Sequence, residues 1–527
     1  MKNFIENYQI SITPLCPIHL GSGEDFLPTN YLIDNNLLYE FDPSEAILND
    51  AERQKLLLVA NSNDIRDVYL FFKNNPLPFR LCAQNKIAVS NKLSSDYRNK
   101  LGQNVQKNNN NYQQNRNGSK KQSVINDLSI ACTAKNYFNH QAIIPGSALK
   151  GCVRTVVLDR LLPADARKKY KNDRDEKKLQ QDLLGSFNND AFSAFKASDL
   201  SQRDENIRTY AQYAYNYKKT GQDKTAKQVP IRLETITPNQ YQAFQGELTI
   251  CEKKDAKKLP HIKEMIKALN KYHLRIWNKE LELLLEKDIA DSKYLKNIDR
   301  LITTLNLQNN DNIALIRLGK LCGAESKTLP ELAQIKIMQG KGKQPVFRKE
   351  TTTIWLTEGN LPFGWALLEI NTTQKTQIIK DYCEQNNHLL QYINEQIDTA
   401  DKNTLSQFQQ QKETEEKQRR EQIQKAKEEE EKQKQEEIRL NNLSDFEREI
   451  EDWQNKLLSC KDFNKSNEIY TDFKAYLAQA VEKYSADEKR KLAEIFSRKN
   501  CEKNYPKVIS SKRSKELSPI LAKLRGE

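Results

Sequence analysis

Glycine occurs twice in this chain where a backbone could approach a ligand with no side chain in the way: in His19-Leu20-Gly21-Ser22-Gly23, and in Ile144-Pro145-Gly146-Ser147-Ala148-Leu149-Lys150-Gly151-Cys152-Val153-Arg154. Glycine carries no Cβ. Lys150 and Arg154 are four positions apart and so share one face of a helix. A helix starting near Ser147 would add the partial positive charge of its N-terminus. Together these features suit the holding of a phosphate chain. Gly146 and Gly151 have the spacing of a nucleotide-hydrolase phosphate loop, but that motif continues with Lys and Ser or Thr. Here Cys152 and Val153 follow, so nucleotide hydrolysis is not supported. Arg317, Lys320, Arg348 and Lys349 offer a second basic face, and Gly340-Lys341-Gly342-Lys343 a basic loop. His19 has no second histidine or carboxylate pair beside it, so no metal site or general base is assigned.

These residues need elements to position them. Residues 8–15 alternate like a half-buried strand, ended by Pro17 and Gly21. Residues 31–41 read as a hairpin about Asp34-Asn35-Asn36, and Asp42-Pro43-Ser44 as a helix start with Ser44 as N-cap. Residues 147–162 carry a helical stripe at 149, 153, 156, 157 and 161. Strands are expected at 229–236, 247–251, 313–318, 351–356 and 365–370, with a long helix from 256 to about 305. Residues 102–123 are almost devoid of apolar side chains and read as a mobile surface loop. Phe26, Tyr31 and Tyr39 could stack on bases, but core packing is the simpler assignment.

The chain has 527 residues, which implies two or three domains. Its 84 Lys and Arg against 71 Asp and Glu give a net charge of +13, which favours a polyanionic partner or an acidic protein face. Nine cysteines lie at least 20 positions apart, so neither zinc clusters nor paired Cys motifs occur. No signal-peptide core or membrane-length apolar run is present, and a cytoplasmic protein with reduced thiols is expected. Between 412 and 440 there are nine Lys or Arg and ten Glu but no heptad seam, which suggests a solvated, rod-like helical spacer. Residues 443–496 regain amphipathic spacing. Residues 489–527 hold twelve Lys or Arg against four Asp or Glu, a net of +8.

The 144–154 stretch is very similar to the signature of the RAMP proteins of CRISPR effector complexes, and residues 13–23 resemble the opening strand and loop of the same family. Further similar segments follow in order. They are Leu184-Gly185-Ser186 with Ala197-Ser198-Asp199, Leu233-Glu234-Thr235-Ile236 with residues 244–248, Ile316-Arg317-Leu318-Gly319-Lys320, residues 349–353, and Leu361-Pro362-Phe363-Gly364-Trp365-Ala366. The resemblance covers about residues 8–370. The closing segments look most like those of the fifth, filament-capping subunit of type III-A (Csm) complexes.

That resemblance implies an α+β fold of tandem ferredoxin-like (RRM-like) domains, at 1–240 and 241–400 with a helical insertion. A charged helical spacer at 401–442 and a basic helical extension at 443–527 lie outside it. It implies a subunit that binds the 3′ region of the guide RNA and supports guide maturation in antiviral defence. The partners implied are the neighbouring backbone RAMP subunit, the small helical subunit and a host trimming nuclease. No cofactor, metal or catalytic residue is assigned. The RNA-binding set comprises His19, Gly21, Ser22, Gly23, Gly146, Ser147, Lys150, Gly151, Arg154, Arg317, Lys320, Arg348 and Lys349. In the backbone RAMP subunit an aspartate cuts target RNA; Thr29 aligns with it here, with Asp25 and Asp34 nearby. Two alternatives stay open: an endoribonuclease using Asp25 or His19, and a module whose basic tail recruits an acidic protein.

Overall fold

A computed structural model describes residues 5–62, 65–106, 128–170, 175–226, 229–252, 257–339, 342–371, 376–460 and 465–527. The chain divides into two compact units, Met1–Gln409 and Gln410–Glu527. Of the expected loop at 102–123, residues 102–106 complete the helix Asn91–Gln106, and the rest lies outside the described residues. Gly340 and Lys341 also lie outside them.

In chain order the strands are β1 (Ile5–Pro14), β2 (Gly21–Phe26), β3 (Tyr31–Asp34), β4 (Leu37–Glu40), β5 (Asn85–Val89), β6 (Ile130–Thr133), β7 (Phe195–Ala197), β8 (Ser201–Gln202), β9 (Thr209–Lys218), β10 (Ile231–Ile236), β11 (Phe244–Cys251), β12 (Ile313–Arg317), β13 (Ile335–Ile337), β14 (Val346–Arg348), β15 (Thr353–Thr357) and β16 (Trp365–Ile370). The first sheet runs β12-β16-β1-β11-β7, antiparallel throughout, with β8 also paired to β11. The second runs β2-β6-β10-β9-β5-β4-β3 with β15 on the far half of β9, and is parallel at β6/β10 and β5/β9.

Strands β12 and β16 are buried at every position, and apolar except for Arg317 and Glu369, because both faces of the first sheet are covered. Successive side chains point to opposite faces, so Ala314, Ile316, Ala366 and Leu368 join one core with Leu149 and Val153 of the helix Gly146–Leu161. Ile313, Leu315, Trp365 and Leu367 join another with Trp277 of the helix Ile262–Lys287 and Leu295 of the helix Ser292–Thr304. Each fully buried Leu, Ile or Val side chain among these contributes roughly 1.5–3 kcal/mol. Phe26, Tyr31 and Tyr39 are core residues, not surface stacking platforms.

Several sequence expectations need correction. The sheets do not separate at residue 240: β1 is hydrogen-bonded along both edges by β11 and β16, and β15 pairs with β9. The strand edges at the N-terminus are satisfied only by strands from the other half of the chain. Asp42, not Ser44, caps the short turn Pro43–Glu45, because its carboxylate accepts the Ser44 N–H. The 256–305 helix is two, broken where Asp288 takes a left-handed backbone (φ 49°) and Asp291 caps the next. The hairpin at 31–41 forms as expected, with Asn35 and Asn36 at φ 49° and 60°.

The helix His388–Asn442 is continuous for 55 residues. Ile393, Ile397 and Ala400 are buried within the first unit, whereas residues 411–442 are exposed and carry pairs such as Lys434–Glu430 (2.7 Å). In the second unit the helices Asp445–Ser459, Lys465–Lys483, Ala486–Ile495, Arg498–Asn504 and Ser511–Arg525 enclose a core of their own, including Phe446, Phe473, Leu477, Phe496, Leu517 and Leu521. Ser444 with Glu447 and Ser485 with Glu488 start two of them as capping boxes. Among the described residues, no helix is long and apolar enough to cross a membrane.

Candidate nucleic-acid interface

Between β1 and β2 the chain passes from one sheet to the other, and residues 15–20 are held by backbone hydrogen bonds at almost every step. Leu15 and Cys16 donate to the Trp365 carbonyl (2.9 and 3.0 Å), Gly364 donates to Pro17 (2.9 Å), and Lys320 donates to His19 (2.8 Å). Gly319, at φ 94°, lies so close to the His19 carbonyl that a Cβ there would stand 2.5 Å from its oxygen. The glycines of the closing segments thus pack against the opening loop. The distant motifs hold one another in place.

A groove of about 480 Å³ opens where they meet. One wall is Leu20 and Gly21; another is Pro145 and the helical positions Ser147, Ala148, Gly151, Cys152 and Thr155; the third runs from Arg317 to Lys320 and includes Ser326 and Lys327. Three cations line it and no carboxylate does. Lys320 lies over Gly21, where a Cβ would collide with its side chain, and it is an exposed residue, as is Lys327. Neither lysine has an ion-pair partner among the described residues. Ser147 and Gly151 are exposed one turn apart, and nothing stands within 4 Å of where a Gly151 Cβ would be.

Of the sequence-derived set, Gly21, Ser147, Gly151, Arg317 and Lys320 come together here. Others are placed differently. His19 is 3% exposed, its Nδ1 is 2.8 Å from the Glu234 carbonyl, and burial lowers its pKa. It is a neutral packing residue with no surface for phosphate. The Gly146 N–H donates to the Asp199 carboxylate (2.8 Å), so the helix N-terminus already has its anion. Lys150 donates to the Phe195 carbonyl (2.9 Å), and Arg154 pairs with Asp190 (2.8 Å), bonds Gln180 and lies over the Phe192 ring. Arg317, though it borders the groove, is 5% exposed; its guanidinium forms a two-point pair with Glu280 (2.6 and 3.0 Å) and covers Trp365. Burial alone would depress the Arg317 pKa, and Glu280, together with Cys322 and Cys16, more than reverses this.

Ser22 and Gly23 are exposed on β2, the Ser22 hydroxyl accepting from Glu24 N–H. Arg348 and Lys349 are exposed at the β13/β14 hairpin. Asp25 is exposed on β2, and Asp34 is paired with Arg80 (3.0 Å). Lys327 was not foreseen, and neither periodicity nor a motif marks it.

Beside the groove, Cys152 Sγ is 3.7 Å from Nε2 of His273. Burial pushes the thiol up to about 12 and the imidazole down to about 4, so the pair is neutral and the thiolate needed for nucleophilic attack is disfavoured. On β10, Glu234 is fully buried, accepts from the Thr133 N–H (3.1 Å) and the Thr209 hydroxyl (2.7 Å), and faces Lys135 at 3.4 Å. Among the described residues no group of three or more His, Cys, Asp or Glu could hold a metal ion. The arrangement offers positive charge, hydroxyls and open backbone along one surface.

No family model matches the sequence, and no curated protein does. Among solved structures, the chain is similar to one in a cryo-EM structure of a Csm–crRNA–target RNA ternary complex of a type III-A CRISPR-Cas system, with a TM-score of 0.40 and 15% identity, covering 69% of this chain and 100% of that one. It is also similar to crystalline Csm5 of T. onnurineus, with a TM-score of 0.41 and 15% identity, covering 68% and 99% of the two chains.

Proposed function

We propose that this protein is an RNA-binding subunit of a type III-A CRISPR ribonucleoprotein, that it caps the backbone filament at the 3′ end of the guide RNA, and that it supports guide maturation without cutting RNA itself. The observation that carries the reading is the groove lined by Lys320, Lys327 and Arg317 and by no carboxylate, built where the ordered RAMP-like segments converge. Phosphate contacts position a strand without reading its bases, so binding is indifferent to sequence. The topology supports a ferredoxin-like reading of the first sheet. Strands β16-β1-β11-β7 are all antiparallel, with the helix Gly146–Leu161 between β1 and β7 in sequence and the helix Ile262–Lys287 between β11 and β16. The adjacent backbone and small helical subunits, a trimming nuclease and a cytoplasmic setting belong to the same proposal.

The test is binding of a fluorescent single-stranded RNA across a salt series. Each phosphate neutralised on a single strand contributes about −0.7 to the slope of log affinity on log salt. Lys320→Gln with Lys327→Gln is expected to weaken binding and flatten the slope by about 1.4. Unchanged affinity and slope would remove the groove from consideration. The endoribonuclease reading rests on the exposed Asp25; metal-dependent cleavage by the purified chain that is lost in Asp25→Ala would replace the non-catalytic assignment.

A further inference from the structure

The second unit offers a separate cationic surface. Residues 489–527 supply +8 of the net charge, and the structure sorts these charges. On the helix Ser511–Arg525 the buried positions Ser514, Leu517, Leu521 and Leu524 follow one face, while Lys512, Lys515 and Lys523 fall on the opposite one. On the helix Arg498–Asn504 the buried Cys501 marks the inner side and Lys499 and Lys503 the outer, one turn apart. Ser514 bonds Glu502, which brings the two helices together. The outward lysines thus lie on two helices in contact.

The nearby carboxylates form their hydrogen bonds and ion pairs with other groups, and only Glu502 also feels the charge of one of these lysines, Lys515. Glu502 is engaged by Arg498 and Ser514, Glu516 by Tyr470 and Lys474, and Glu527 by Arg525. Among the described residues, Lys499, Lys503, Lys507, Lys512, Lys515 and Lys523 have no ion pair. The same stretch exposes no large hydrophobic side chain; those of this unit are Ile423, Ile438, Leu440 and Leu458, all earlier in the chain. Protein interfaces take their energy from buried aromatic and apolar anchors. Polyanion binding needs only mobile, unpaired cations.

We infer that the outer face of the helices Arg498–Asn504 and Ser511–Arg525 binds the phosphate backbone of single-stranded RNA, as a contact separate from the groove. The choice of RNA over other polyanions rests on the function proposed above. Lys499 and Lys503 on one helix and Lys512 and Lys515 on the other, each pair about one turn apart, meet several phosphates at once, and because none is held in an ion pair among the described residues they adapt to any sequence.

The experiment uses the full chain with a labelled uridine homopolymer across a salt series. The variant K499Q/K503Q/K512Q/K515Q is expected to bind about tenfold more weakly at low salt, with the slope flattened by about 2.8, while the four-site Lys→Arg variant keeps parental affinity. K320Q/K327Q is measured beside it. If only the groove variant fails to alter binding, the groove assignment falls and this surface stands. Affinity and slope of the Lys→Gln variant unchanged within twofold, in a chain whose thermal melt is also unchanged, would overturn the inference. So would binding of poly-glutamate lost in that variant with RNA binding intact, which would make this an acidic-protein dock.

Discussion

Arg317 and Lys320 stand three positions apart in one motif, and they have opposite fates. The guanidinium is buried against Glu280 and Trp365, where its planar fork suits two-point pairing, whereas the exposed Lys320 lays its ammonium across Gly21. Position in a motif placed both residues at the groove but did not say which of them is paired internally. Another buried charge has a measurable consequence. Glu369 is held by Thr13 and Gln242, and burial raises its pKa to about 7. Exposed in the unfolded chain it titrates near about 4.3. Between these values the folded protein keeps a proton that the unfolded chain has released, so stability falls as pH rises, and the loss is complete above pH 7. Its size is on the order of 3 kcal/mol. Glu369→Gln should therefore be more stable than the parent at pH 8, with the difference closing toward pH 5. Urea midpoints at several pH values measure this, and a pH-independent difference would exclude the titration.

At the scale of elements, the helix Gly146–Leu161 links the site to the core. Its inner face packs Leu149, Val153 and Val156, its outer turns line the groove, and its first residue touches the strand segment after β7. A Cβ on Gly146 would lie 2.5 Å from the Ser198 carbonyl oxygen and collide with that of Ala197. Both obstacles are backbone and cannot swing aside. Gly146→Ala is expected to cost about 1–3 kcal/mol, as overpacking does, and to shift the groove wall. Gly151→Ala, inside the helix with open space around it, should raise stability by about 0.5–1 kcal/mol. Comparing the two by denaturant titration separates a packing glycine from one that leaves a surface clear; equal costs would contradict this division.

For the whole molecule, the two units have separate cores, one pair of sheets with its helices and one helical bundle. The division falls inside the helix His388–Asn442, after the turns that bury Ile393, Ile397 and Ala400. A chain ending at residue 409 should keep these contacts and unfold cooperatively by near-ultraviolet circular dichroism in urea. A noncooperative transition would mean that the first unit depends on the second. The truncated chain should also keep the groove-dependent part of RNA binding and lose the part carried by the C-terminal lysines.

Much was legible from order along the chain alone. Alternating apolar residues specified β1, the Asp-Asn-Asn turn specified the β3/β4 hairpin, and the lack of a heptad seam specified the solvated helical turns after residue 410, because each depends on near neighbours. The ordered glycine and cation motifs likewise located the segments that meet at the groove. What only the tertiary structure decided is which cations are free. Arg317 is answered by Glu280, 37 positions away, Arg154 by Asp190, and the Gly146 amide by Asp199, 53 positions away. No local pattern encodes those encounters. Whether a charge serves a ligand or the protein's own interior is set by folding, since a buried cation needs a partner and an exposed one does not.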